Sequence, residues 1–236
     1  MSLTTHTPWR RQDLDAVIVD LDGTMVDTLG DFVQALQRML GDLPEPYASF
    51  VLDKDVVERC VGKGSEHLIK NVLAHIEPAQ AAMENVALYE MAWASYQRHY
   101  PVVNGHYSAV YPGVVQGLEA LQRAGLAMVC VTNKPTAFAR ALLADKGLAS
   151  YFRLVIGGDA VARKKPDPMP LLHACEQLRV LPARTLMVGD SSNDAQAARA
   201  AGCPVLLVSY GYNHGEPIRA MDADAYVDSL SELQLA

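Results

Sequence analysis

The run Ala16-Val17-Ile18-Val19, followed at once by Asp20-Leu21-Asp22-Gly23-Thr24, decides the fold. Four consecutive apolar residues with no polar alternation read as a strand buried on both faces, the signature of a parallel sheet. The same reading falls on Ala127–Val131, Leu154–Ile156, residues 185–188 and Val205–Val208, with Ala225–Val227 as a weaker sixth. Helical segments separate them. Residues 114–124 stop at Gly125, 135–146 open on Pro135 and stop at Gly147, and 193–201 stop at Gly202. Proline at the start and glycine just past the end is the expected asymmetry of helix termini. Strands alternating with helices predict an α/β fold with a doubly wound, parallel-sheet, Rossmann-like core.

The alternation fails between the first strand and the second. Residues 28–40, 53–61, 65–76 and 78–100 all read as helices, the last on an approximate stripe of Met83, Val86, Ala87, Met91 and Ala94 interrupted by Glu90. A parallel crossover needs about a dozen residues. Residues 26–104 are therefore expected to form a helical domain inserted into a core of 1–25 and 105–236, with 105–113 as the return linker.

Composition excludes several classes. The 236 residues are 50% hydrophobic and 20% charged, an ordinary globular balance that argues against disorder. A net charge of -7 argues against nucleic acid as a partner. No apolar run approaches the roughly 18 residues of a membrane span, and residues 1–15 carry no signal-peptide core. Cys60, Cys130, Cys175 and Cys203 form no close pair, so reduced thiols and a cytoplasmic location are expected. Monomer or homodimer is the expected state.

Ligands of open α/β sheets bind outside the carboxyl ends of the strands. Asp20-Leu21-Asp22-Gly23-Thr24 ends the first strand, Thr132-Asn133-Lys134 the second and Gly189-Asp190-Ser191 the fourth, with Asp194 beyond; Lys165-Pro166-Asp167-Pro168 follows the third. Asp20, Asp22 and Asp190 at one point need protons or a cation, and oxygen ligands with room for water suit Mg²⁺. Lys165 supplies a fixed charge and Thr132 a hydroxyl. Backbone N–H groups at Asn133 and around Gly23 are placed to cradle phosphate, which makes Gly23, Thr24, Asn133 and Lys134 the candidate substrate-binding positions. A carboxylate also serves as nucleophile in aspartyl-phosphate enzymes. Each cluster alone is an unremarkable loop or cap; their joint order points to phosphoryl chemistry on a small phosphorylated molecule.

Those four clusters resemble the motifs of the haloacid dehalogenase-like hydrolase superfamily, and the helical insertion falls where a C1-type cap lies. Val61-Gly62-Lys63-Gly64, Gly157-Gly158-Asp159 and Tyr210-Gly211-Tyr212-Asn213 are similar to its phosphoglycolate phosphatases. The resemblance implies Asp20 as nucleophile and Asp22 as general acid. It implies Asp20, the Asp22 carbonyl and Asp190 as Mg²⁺ ligands, with Asp194 supporting the metal site or orienting Lys165. Thr132 and Lys165 would hold the phosphoryl group. An acid at Asp22 suits phosphatases and phosphomutases, not dehalogenases, since halide leaves without a proton. The implied activity is Mg²⁺-dependent hydrolysis of 2-phosphoglycolate through an aspartyl phosphate. The alternatives are a broad-range sugar-phosphate or nucleotide phosphatase, a β-phosphoglucomutase-like isomerase, and a non-catalytic binding protein. Lys63, between glycines in the inserted domain, is the expected partner of the substrate carboxylate.

Overall fold

The computed structural model describes residues 8–77, 85–233 and 235. The apolar runs form the strands β1 (Ala16–Val19), β4 (Ala127–Val131), β5 (Leu154–Ile156), β6 (Thr185–Gly189), β7 (Val205–Val208) and β8 (Ala225–Val227). They make one six-stranded parallel sheet in the order β5-β4-β1-β6-β7-β8. Every residue of β1 is buried, as continuous apolar runs require. Alternation along the strand sends them to opposite faces. Val17 and Val19 join Val114, Leu118 and Leu121 of α5 (Val114–Arg123) and Leu142 and Leu143 of α6 (Thr136–Asp145). Ile18 joins Leu171 and Ala174 of α7 (Met169–Leu178) and Ala195 and Ala198 of α8 (Ser192–Ala201). Helices thus cover both faces of an α/β sheet. Its topological switch lies at β1, where later strands add on either side.

Between β1 and β4, α1 (Leu29–Gly41), α2 (Lys54–Cys60), α3 (Ser65–Ile76) and α4 (Val86–Val103) pack around a separate apolar core. On α1, Leu29, Phe32, Leu36, Met39 and Leu40 face inward at helical spacing. Three features depart from the sequence expectations. The two-residue strands β2 (Val26–Asp27) and β3 (Ala109–Val110) pair antiparallel, so the point of departure and part of the expected linker are zipped together. A further helix, α7, follows β5; Pro168 caps it and Pro170 sits in its first turn, where a missing N–H costs nothing. On α4 the stripe is out of phase. Val86 and Met91 are 64% and 50% exposed, while Leu88, Ala92, Tyr96, Tyr100 and Val103 are buried. The large Tyr96 and Tyr100 rings set the phase because they bury more area than the methionine and valine on the other side. Met83, and the start of the helix read over 78–100, lie outside the described residues.

Candidate active site

The motif residues meet at the carboxyl edge of the sheet. Asp20 directly follows β1, with its N–H bonded to Val188 O at 2.9 Å. Thr132 follows β4, Asp190 follows β6, and the loop after β5 brings in Lys165. Asp20, Thr132, Lys165 and Asp190 are all buried.

Lys165 organises the centre. Its Nζ donates to Val131 O at 2.9 Å and to Asp194 Oδ1 at 2.7 Å. It also lies 2.8 Å from Asp20 Oδ1, an ionic contact outside hydrogen-bond geometry, so that buried oxygen has no hydrogen-bond donor. Burial works against the ammonium, but Asp194 and Asp20 outweigh it and hold Lys165 charged.

Asp190 is held by two donors, Thr24 Oγ1 at 2.7 Å and Tyr212 N at 2.6 Å. Gly23, at φ +85°, lets the chain pass here; a Cβ on it would lie 2.2 Å from Asp190 Oδ2. Ligand atoms of Asp20, Asp190 and Asp194 lie within 4.8 Å of one another. Asp194 is already engaged, because its second oxygen accepts from Asp190 N, Ser191 N and Ser191 Oγ at 3.2, 3.1 and 2.7 Å. Its side chain closes the capping box of α8 and orients Lys165. Asp20 and Asp190 are left facing the centre.

Burial, opposed by Lys165 and reinforced by Asp194, raises the Asp20 carboxyl to about 7. Burial with the neighbouring Asp194 and Asp20 carboxylates pushes Asp190 well above the usual range. Hard oxygen donors, one lacking a donor and both disfavoured as bare anions, fit a divalent cation such as Mg²⁺. A pH prediction follows. With the folded value of Asp20 raised, its stabilising contribution is full below the unfolded pKa and is lost as pH rises through about 7. In EDTA the melting temperature is expected to fall relative to the Mg²⁺ form between pH 5 and 8, so the Mg²⁺-induced shift widens with pH. Differential scanning calorimetry with and without Mg²⁺ measures this, and a shift that is flat or narrows with pH contradicts it.

Asp22 lies nearer the helical unit. Its Oδ1 accepts from Thr28 Oγ1 at 2.8 Å and Lys134 Nζ at 2.9 Å, and no donor among the described residues reaches Oδ2. Asp20, Asp22, Thr132, Asn133 and Lys134 line a cavity with Phe32, Val61, Gly62, Gly64, Ser65 and Leu68 of the helical unit. It encloses about 30 Å³, space for a water or two. Asn133 bridges the two sides, its Nδ2 donating at 2.8 Å to both Gly62 O and Lys165 O.

Several candidate substrate-binding positions behave differently from expectation. The Gly23 N–H is committed to Val26 O at 2.9 Å, and the Thr24 hydroxyl is committed to Asp190. Neither residue lines the cavity. The Lys134 N–H donates to Thr132 Oγ1 at 3.1 Å, so Lys134 presents its ammonium and Thr132 keeps its own proton to donate. Lys63 is exposed and absent from the lining. Sequence reasoning missed Tyr212. Its N–H holds Asp190, and its hydroxyl donates to Asp27 and accepts from Leu29 N at 3.1 Å, joining the Asp190 carboxylate to the start of α1. The run Tyr210-Gly211-Tyr212-Asn213 was the available signal.

Residues 17–208 match the model of the haloacid dehalogenase-like hydrolase family, and the chain belongs to that family. It is 45% identical over 222 residues to a phosphoglycolate phosphatase of Thiobacillus denitrificans, covering 94% of this chain and 95% of that one. It is 46% identical over 220 residues to a plasmid-encoded phosphoglycolate phosphatase of Cupriavidus necator, covering 92% and 90%. A crystal structure described as a predicted phosphoglycolate phosphatase, from Haemophilus somnus, superposes with a TM-score of 0.84 at 29% identity, covering 94% of this chain and 96% of that one. In class the chain is a phosphoric monoester hydrolase. Among the described residues no helix is long and apolar enough to cross a membrane.

Proposed function

We propose that this enzyme hydrolyses 2-phosphoglycolate to glycolate and phosphate, that Asp20 is its nucleophile, and that Mg²⁺ bound by Asp20, Asp190 and the Asp22 carbonyl assists. The observation that carries the reading is Asp20: a buried carboxylate with one oxygen free of hydrogen bonds, an ammonium 2.8 Å away and a carboxylate partner, Asp190, beside it. When bound, the cation neutralises charge on the phosphoryl oxygens and on the two carboxylates.

The chain's own residues do the rest. An Asp20 oxygen attacks phosphorus, forming an Asp20–phosphorus bond as the ester P–O bond breaks. Asp22, through Oδ2, gives its proton to the departing alkoxide. The same carboxylate then takes a proton from water attacking phosphorus; the Asp20–phosphorus bond breaks and phosphate leaves. Thr132 donates its hydroxyl proton to a phosphoryl oxygen, and Lys165, held by Asp194 and Val131 O, fixes a positive charge beside it. Phosphoryl transfer is mainly such positioning and neutralisation.

Residues 26–104 act in this reading as a cap on a core of 1–25 and 105–236. In this reading the cap swings away to admit the ester and returns to exclude water from the reaction. The hinge falls at the β2–β3 pair, and the Asn133–Gly62 bond closes the far side.

The test is phosphate release from the Mg²⁺-loaded protein against 2-phosphoglycolate, several sugar phosphates, a nucleoside monophosphate and an aryl phosphate, with an EDTA control. The expected result is a kcat/KM for 2-phosphoglycolate about 100-fold above the others, lost in EDTA. Flat rates would leave a phosphatase without this substrate preference. An isomeric sugar phosphate without free phosphate would make the enzyme a mutase.

A further inference from the structure

We propose that Lys134 reads the carboxylate of the substrate, so that the enzyme is built for a short phosphorylated hydroxy acid whose carboxylate stands next to the ester-bearing carbon. This rests on the phosphatase reading of the same site.

Lys134 is the one lysine or arginine among the residues lining the cavity. Its side chain is only 2% exposed. The ammonium sits over two ring faces, 4.7 Å from the Phe32 centroid and 5.0 Å from that of Tyr100. Ring faces attract a cation but occupy none of its protons along a hydrogen-bond axis. An ammonium has three donors, and Asp22 Oδ1 takes one. The amine is therefore buried, immobilised and still able to donate. The other ionisable groups lining the cavity, Asp20 and Asp22, are both acidic, so an anionic substrate arm finds a counter-charge in this cavity only at Lys134.

Connectivity places that counter-charge correctly. The leaving oxygen must lie against Asp22, because Asp22 protonates it. In a two-carbon acid the carboxyl carbon is two bonds from that oxygen. The cation that serves it must adjoin Asp22, and Lys134 does so at 2.9 Å. Thr132, two residues earlier in the chain, faces the phosphoryl end, and its Oγ1 accepts the Lys134 N–H at 3.1 Å. One turn of backbone thus spaces the two anionic ends of the substrate. Phe32 and Leu68 add apolar wall to the same cavity. Lys63, although in the inserted helices, reaches none of this: it is exposed and outside the lining.

The experiment compares 2-phosphoglycolate with 2-hydroxyethyl phosphate, which has the same two-carbon skeleton without the charge, in wild type, Lys134→Met and Lys134→Arg. Methionine keeps an unbranched chain against the two rings. The expected result is that Lys134→Met lowers kcat/KM at least 30-fold more on 2-phosphoglycolate than on 2-hydroxyethyl phosphate, while Lys134→Arg retains part of the preference. Equal losses on both esters, or equal collapse of the preference in both variants, would overturn the proposal, because a role in shape or in holding Asp22 does not distinguish the esters. A wild type that hydrolyses both esters without preferring 2-phosphoglycolate overturns it while leaving the phosphatase reading intact. No phosphate release from either ester overturns both.

Discussion

Asp20→Asn is expected to lower kcat by about 10⁴-fold or more on every phosphate ester while leaving the chain folded. The side chains are nearly isosteric, but an amide cannot attack phosphorus. Asp20 forms no hydrogen bond through Oδ1, so the substitution breaks no network there; it removes only the ionic contact with Lys165. Lys165 keeps Asp194 Oδ1 and Val131 O. The variant also relieves repulsion, because Asp20 is among the charges that raise Asp190. In EDTA at pH 8 it should therefore melt no lower than the wild type, and the pH-dependent Mg²⁺ shift should shrink. Phosphate release, with intact mass after acid quench, makes the check. Wild type quenched during turnover should carry one added phosphoryl group and the variant none. Turnover within tenfold of wild type would remove Asp20 from the role of nucleophile.

The sheet strands and the polar clusters at their ends were legible for the same reason. A strand buried on both faces is a continuous apolar run, and a residue that must stand at its carboxyl end follows that run directly, as Asp20 follows Val19 and Asp190 follows Gly189. What stayed hidden depends on contacts between distant segments. Val26–Asp27 and Ala109–Val110 are too short for any local pattern and exist as strands only because they pair with each other. The phase of α4 does not follow the stripe of methionine, valine and alanine, because the buried Tyr96 and Tyr100 rings set it. The prolines around Asp167 disguised the start of α7. Lys63 and Lys134 both stood out as candidate substrate-binding positions, but which of them lines the cavity was not legible: Lys63 is exposed and Lys134 is in the lining. Only folding brings Phe32 of α1 and Tyr100 of α4 against Lys134. A side chain's reach is set by tertiary packing, which local spacing does not encode.

Asp22→Asn is expected to separate the two halves of the reaction. The amide oxygen can still accept from Thr28 Oγ1 and Lys134 Nζ, so the side chain stays in place. Its other terminus, the one with no donor, loses the ability to give or take a proton. With 2-phosphoglycolate the leaving group is a basic alkoxide, and kcat should fall by about 10²- to 10⁴-fold, the usual contribution of a general acid. A nitrophenyl phosphate has a leaving group stable without a proton, so transfer to Asp20 should remain fast. Release of that phosphoryl group then needs Asp22 as base and should be slow. Stopped-flow absorbance should show a burst of nitrophenolate equal to the enzyme concentration, followed by slow turnover. Loss of the burst together with equal loss on both esters would mean that Asp22 only shapes the site. A burst with a normal steady state would mean that water is activated elsewhere. The burst tests the covalent step and the acid–base step in one trace, because it requires a nucleophile that accepts the phosphoryl group before the impaired residue is needed.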